Sequence, residues 1–231
     1  MRRGVPTAHE IWGNSVAILT GDLLFAKASQ IVSRLGAKAL TLQADTFERL
    51  CLGQLHETLG PEENQDPIEH YLQVLADKTG SLIAASAEMG IIYGDAPDEF
   101  REPLRIYGEK VGVAFQLIDD VIDIASDASG KTPGTDLRAG VPTMPTLLLR
   151  KMAATDPEAA ELIAIIDSGL EDDAQLAEVV RRLRAHKALE DAYQLAKDWS
   201  AQAVAALDSL PESSVKNALK VFAEAVVERE E

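Results

Sequence analysis

The stretch Phe115-Gln116-Leu117-Ile118-Asp119-Asp120-Val121-Ile122-Asp123-Ile124 decides how this chain is read. Wound as an α-helix, it advances about 100° per residue and sorts into two faces. Asp119, Asp123, Gln116, Asp120 and the later Asp127 share one arc of about 100°. Leu117, Ile118, Val121, Ile122 and Ile124 fill the arc from about 140° to about 300°. So wide an apolar face belongs to a mostly buried helix, and its acidic strip is expected to face a cavity. No Lys or Arg stands three or four residues from Asp119, Asp120 or Asp123 to relieve their mutual repulsion. Gly108 and Gly112 lie beside the strip. A glycine costs a helix about 1 kcal/mol relative to alanine, so two of them there imply that something approaches closely.

Carboxylates clustered without cationic partners call for a hard divalent cation. Asp119 and Asp123, at i and i+4, suit Mg²⁺, which takes one or two carboxylates and completes its shell with water and phosphate oxygens. With no His or Cys beside them, they suit zinc poorly. Asp120, about 100° round from Asp119, can ligate or hydrogen-bond. A cation held in this way neutralises a diphosphate and stabilises it as a leaving group.

The rest of the chain is read outward from that helix. Ala and Leu abound and aromatics are 5%, so an all-α fold is expected. Helices are predicted over 9–35, 38–59, 67–93, 97–125 and 143–154, with a mostly helical 173–207 and a last helix over 211–228. Gly36, Gly60-Pro61 and Gly94-Asp95-Ala96-Pro97 punctuate them. Asp156-Pro157-Glu158 reads as a cap, a first-turn proline and an early acid. The most irregular stretch, 126–142, follows the acidic strip directly. No linker is long enough to divide residues 1–231, so one domain is expected.

Composition narrows the function. The 22 Lys+Arg against 38 Asp+Glu give a net charge of −16, which repels nucleic-acid phosphates and anionic lipid. The single cysteine, Cys51, excludes an internal disulfide and a Cys-based zinc site. Uninterrupted apolar runs such as 16–19 and 23–26 fall far short of the ~20 residues that span a bilayer, so no stable membrane insertion is expected. With no basic segment preceding an apolar one, a cytoplasmic location is expected. No Ser-His-Asp or Cys-His arrangement stands out, and His9, His56, His70 and His186 show no ligand spacing.

These residues resemble the trans-type polyprenyl diphosphate synthases. Phe115-Gln116-x-x-Asp119-Asp120-x-x-Asp123 is similar to that family's second aspartate-rich motif. Gly130-Lys131-x-x-Gly134-Thr135-Asp136 resembles its lysine loop, Lys78-Thr79-Gly80 its Lys-Thr diphosphate contact, and Gly53-Gln54-x-x-Glu57 its Gly-Gln-x-x-acid element. Gly21-Asp22 is another family feature, and Arg2-Arg3-Gly4-x-Pro6-Thr7 resembles the arginine pair after the first aspartate-rich motif.

The resemblance implies a helical bundle of the isoprenoid synthase type with a central cavity. It implies a homodimer, Mg²⁺ as cofactor, and condensation of an allylic diphosphate with isopentenyl diphosphate. Asp119, Asp120 and Asp123 would ligate metal. Arg2, Arg3, Lys78 and Lys131 would grip diphosphate, and Thr79 and Gln116 would join Lys78 and Lys131 in the reaction site. Gln54, Glu57 and Asp136 would support them.

Two departures stand out. Val141 occupies a place where many relatives carry lysine, and Met1 immediately precedes Arg2, where the family's first aspartate-rich motif would lie just upstream. The expectation is a chain lacking the family's N-terminal helices, with impaired turnover on its own. The alternative is a non-catalytic truncated subunit or partner of a full-length synthase. A class I terpene cyclase is the weaker alternative, because no Asn/Asp-Asp-x-x-Ser/Thr-x-x-x-Glu element follows Asp123.

Overall fold

A computed structural model describes residues 5–125 and 133–229 of the chain. Among these residues no β-strand occurs, and eleven α-helices follow one another. They are α1 (Ala8–Val32), α2 (Ala37–Leu59), α3 (Pro67–Leu75), α4 (Ser81–Tyr93), α5 (Arg101–Ala125), α6 (Thr135–Arg138), α7 (Met144–Met152), α8 (Pro157–Asp167), α9 (Asp173–Arg184), α10 (Lys187–Ala206) and α11 (Ser214–Glu228). The all-α expectation holds. The chain divides into two compact units, Met1–Glu48 and Arg49–Glu231.

In the first unit α1 breaks at Gly13, whose φ of 80° is left-handed. Phe25 and Phe47 stack with ring centroids 3.9 Å apart, and Gln43 donates to Ser29 Oγ at 3.0 Å. No residue of α1 is buried. Ile18, Leu19, Leu23 and Leu24 are 64%, 66%, 70% and 66% exposed, far beyond the scatter of single apolar residues on a soluble surface. Residues 8–35 contain a window of mean hydropathy 1.3, apolar and long enough to cross a membrane. The uninterrupted runs are short because Thr20, Gly21 and Asp22 divide them without making the whole helix polar; core helices of soluble proteins pass the same test of length and composition.

In the second unit α5 is the axis. It packs mainly against α10 and α4. Val111, Val113, Ala114, Leu117, Ile118 and Ile124 are at most 1% exposed. The wide apolar arc is therefore the core face.

The predicted helix over 67–93 is interrupted in a particular way. Between α3 and α4 the chain makes a π-helical turn, Ala76–Gly80, holding Asp77, Lys78 and Thr79. Such turns insert one extra residue into the helical ladder and re-aim its side chains. Asp77 anchors this one. Its carboxylate accepts from Arg49 Nε at 2.5 Å and from Gln73 Nε2 at 2.9 Å, and its carbonyl accepts from Ser81 Oγ at 2.6 Å. Arg49 also pairs with Glu109 on α5 at 2.6 Å.

The glycines beside the acidic strip are explained by backbone approach. A Cβ on Gly112 would lie 2.6 Å from Gly80 Cα, and one on Gly108 would lie 2.7 Å from Ala84 Cα. A Cβ on Gly53 would lie 2.8 Å from Asp77 Cβ. What approaches is thus the π turn and α4, which meet α5 backbone to backbone.

The predicted 173–207 helix is two helices, α9 and α10, broken at Ala185-His186. His186 caps α10 by accepting from Ala188 N at 3.1 Å, and its other ring nitrogen meets Asp156 at 3.2 Å. Asp156 caps α8 as expected, accepting from Glu158 N at 2.9 Å.

Candidate active site

The site is assembled around Tyr71 on α3. Its hydroxyl donates to Asp120 Oδ2 at 2.8 Å. The backbone N–H of Met144, the first residue of α7, donates to the same oxygen at 2.9 Å. That amide is one of the four N–H groups a helix start leaves without an internal partner, and a carboxylate is favoured there by the helix dipole. Asp120 is buried, and burial pushes its carboxyl up to about 7. The Met144 and Tyr71 bonds oppose this rise, and the neighbouring charges of Asp136 and Asp119 add to it. Burial, and then Asp120, Glu57 and Asp136, push the Tyr71 hydroxyl far above its usual range, so it stays a donor. Glu57, Asp120 and Asp136 therefore share one neighbourhood with Tyr71.

Lys78, half-buried in the π turn, pairs with Glu57 at 2.6 Å. Gln54 donates to the same Glu57 oxygen at 2.7 Å. The close seat of Gly53 against Asp77 is what lets α2 bring Gln54 and Glu57 to Lys78.

At the end of α5, Asp123 accepts from Thr135 Oγ1 at 2.9 Å and from Asp136 N at 3.3 Å. Its carbonyl accepts from Gly134 N at 2.8 Å. Asp123 thereby ties α6 back to α5. Asp119, one turn earlier, is exposed. Its Oδ2 accepts from Gln116 Nε2 at 3.4 Å, and its Oδ1 accepts from Arg229, just past the end of α11.

The structure thus groups Gln54, Glu57 and Lys78 by hydrogen bonds, ties Asp123 to the backbone of Asp136, and seats Asp120 against Tyr71. Thr79 lies in the π turn beside Lys78, and Gln116 lies beside Asp119. Arg2, Arg3 and Lys131 lie outside the described residues. Asp120 differs from Asp119 and Asp123: its Oδ2 is taken by two protein donors. Among the described residues no group of three or more His, Cys, Asp or Glu is arranged to hold a metal ion. Two carboxylates are enough for Mg²⁺ when a diphosphate supplies the remaining oxygens. The donor set of Asp119 and Asp123 is all hard oxygen, the chemistry that suits a divalent cation.

Sequence reasoning missed Tyr71, Arg229 and the Arg49–Asp77 pair. The strip's supposed lack of a cationic partner is corrected by Arg229, which lies 110 residues away in sequence and is invisible to helical spacing. Two cavities lie apart from this site. One, about 390 Å³, is bounded by Arg138, Val141, Arg150 and Leu170; the other, about 650 Å³, by His56, Gln65, Glu69 and Gln73.

The second unit is thus a helical fold with Lys78-Thr79 in a π turn and an Asp-x-x-x-Asp strip on α5. The chain belongs to the polyprenyl synthetase family, whose model matches residues 1–183. It is therefore a member of a prenyltransferase family. It is 44% identical to the nonaprenyl diphosphate synthase of Mycobacterium tuberculosis over 231 residues, covering 99% of this chain and 68% of that protein. It is 32% identical to heptaprenyl diphosphate synthase component 2 of Geobacillus stearothermophilus, covering 96% and 69%. The geranylgeranyl pyrophosphate synthase of Corynebacterium glutamicum, crystallised with calcium and isoprenyl diphosphate, superposes with a TM-score of 0.85. The identity there is 41%, over 96% of this chain and 69% of that one.

Proposed function

We propose that this chain forms the diphosphate-binding part of a polyprenyl diphosphate synthase, as one domain of that type. The reaction joins an allylic diphosphate to isopentenyl diphosphate. The observation that carries the reading is the Asp119/Asp123 pair, one turn apart on α5, in a chain whose π turn holds Lys78. Asp119 and Asp123 would hold Mg²⁺, which supplies charge stabilisation for the departing diphosphate. Lys78 binds a phosphate oxygen once it leaves Glu57. Thr79, beside Lys78, and Gln116, beside Asp119, would join them, and Lys131, Arg2 and Arg3 have side chains chemically suited to phosphate. Gln54 and Glu57 set the position of Lys78. Asp120 serves the site by fixing α5 against Tyr71 and the start of α7, and Asp136 fixes the segment after the lysine loop.

The substrate's allylic C–O bond breaks, and its electron pair leaves with the diphosphate. The double bond of isopentenyl diphosphate attacks the allylic cation, and the tertiary cation so formed loses a proton to the released diphosphate, leaving the lengthened allylic diphosphate. Little acid–base machinery is required, and the chain's main tasks are to hold charge and exclude water in a central cavity.

The exposed apolar surface of α1 supports a homodimer, since a second copy is the simplest cover for an apolar helix. The name of the Geobacillus relative, a component 2, supports a second reading, in which the partner is a different subunit. The proposed location is the cytoplasm.

The test is prenyl transfer from labelled isopentenyl diphosphate to allylic primers of several lengths with Mg²⁺, comparing the chain with Asp123→Ala and Lys78→Ala. Elongated products that vanish in both variants support the reading. Diphosphate binding without any product, alone or as a dimer, would favour the non-catalytic subunit.

A further inference from the structure

The group on Asp119 is not a solvent ion but an arginine from the far end of the fold. Arg229 follows α11, and its guanidinium is fixed at three points on one turn of α5. It lies 3.8 Å from the centre of the Phe115 ring. Its Nη2 donates to the Phe115 carbonyl at 2.9 Å and also to Asp119 Oδ1. Its side chain is only 24% exposed, which distinguishes it from a loose surface pair. Stacking on an aromatic face retains a cation better than a carboxylate alone does. One feature opposes a permanent lock: Arg229 Nε is buried and has no hydrogen-bond partner among the described residues. A buried N–H left without an acceptor weakens the state that contains it.

We propose that Arg229 is a resident counter-cation of the acidic strip, which pairs with Asp119 and must yield that carboxylate before a divalent ion can bind there. The inference rests on the reading of Asp119 as a metal ligand. A guanidinium and a divalent cation seek the same oxygen, and each repels the other at that distance. Binding of the metal alone therefore carries the cost of displacing Arg229. A metal arriving with a diphosphate brings compensating negative charge, so the exchange becomes favourable. Arg229 thus makes cation binding conditional on substrate, and it acts as a positioning residue with no part in the chemistry. Its place on Phe115 allows the guanidinium to swing from Asp119 without leaving α5.

The experiment is Mn²⁺ binding followed by electron paramagnetic resonance, with no diphosphate present, on the full chain and its Arg229→Gln, Arg229→Lys and Asp119→Asn variants. Circular dichroism confirms that each is folded. Arg229→Gln is expected to bind Mn²⁺ about 10-fold more tightly than the unmodified chain, whereas Arg229→Lys, which keeps the charge, stays close to it. Asp119→Asn is expected to bind more weakly. Hydrogen exchange of residues 219–229 is expected to speed up when Mn²⁺ and inorganic diphosphate are added together. Equal or weaker Mn²⁺ binding by Arg229→Gln, with Asp119→Asn defective, overturns this inference and leaves the site reading standing. Unchanged binding in Asp119→Asn removes the site reading, and this inference with it.

Discussion

Substituting Gly112 by alanine tests how the fold sets the site. The added Cβ would lie 2.6 Å from Gly80 Cα and 2.9 Å from Gly80 N. Carbon atoms in contact sit about 3.5–4.0 Å apart, so α5 and the π turn must separate by about 1 Å. Both obstructing atoms are backbone, and no flexible side chain can give way. Forced separation of a packed core costs about 1–3 kcal/mol. The same substitution gains about 1 kcal/mol of helix propensity. The expected net result is a loss of up to about 2 kcal/mol in urea unfolding at constant m-value. Gly90 provides the internal control: it sits in α4, and a Cβ there meets nothing within 4 Å. Gly90→Ala should gain about 0.5–1 kcal/mol from propensity alone. Because the π turn carries Lys78 and Thr79, Gly112→Ala should also weaken Mg²⁺-dependent diphosphate binding, and Gly90→Ala should not. A Gly112→Ala protein as stable as Gly90→Ala would refute the claim that close backbone contact fixes the site.

Asp120→Asn keeps one acceptor oxygen for Tyr71 and Met144 and removes the buried charge. Because Asp120 is raised to about 7, the folded state holds its proton more tightly than the unfolded state. The unmodified chain therefore loses stability as pH rises from about 4 to about 7, and the loss is complete above that range. The variant should gain on it by about 2–4 kcal/mol by pH 8, measured by denaturation across pH; a constant difference would refute this. Asp123→Ala should cost about 1–2 kcal/mol, because Thr135 and the Asp136 amide lose their acceptor. Asp119→Ala should cost about 1 kcal/mol in thermal melts, because the part-buried Arg229 guanidinium loses its carboxylate partner; a loss of several kcal/mol would mark Asp119 as structural. Replacing Leu19 and Leu23 on α1 by Glu should lower the sedimenting mass at micromolar concentration; a single unchanged species would count against an α1 interface.

How far the sequence could be read is clearest at particular residues. The face of α5 was legible because one helix records its own burial in a period of about 3.6 residues. Asp156-Pro157 was legible because a cap is local. The break at Ala185-His186 was not, since no Gly or Pro marks it and the capping group is a histidine tied to Asp156, 30 residues earlier. The π turn was equally hidden: Lys78-Thr79 reads as plain helix until Asp77 is seen gripping Arg49. Gly108 and Gly112 signalled a close approach but not what approaches. Tyr71 and Arg229 reach the strip from 49 and 110 residues away, and only the folded chain pairs them with Asp120 and Asp119.

The central claim is that Asp119 and Asp123 hold a divalent cation for a diphosphate. Titration calorimetry of a non-ionising thio-analogue of an allylic diphosphate, with and without Mg²⁺, measures it most directly. The chain should bind the analogue with Mg²⁺ and lose at least about 100-fold in affinity without it, or when Asp119 and Asp123 are both replaced by alanine. Equal affinity with and without Mg²⁺, or an unaffected double variant, would contradict the account.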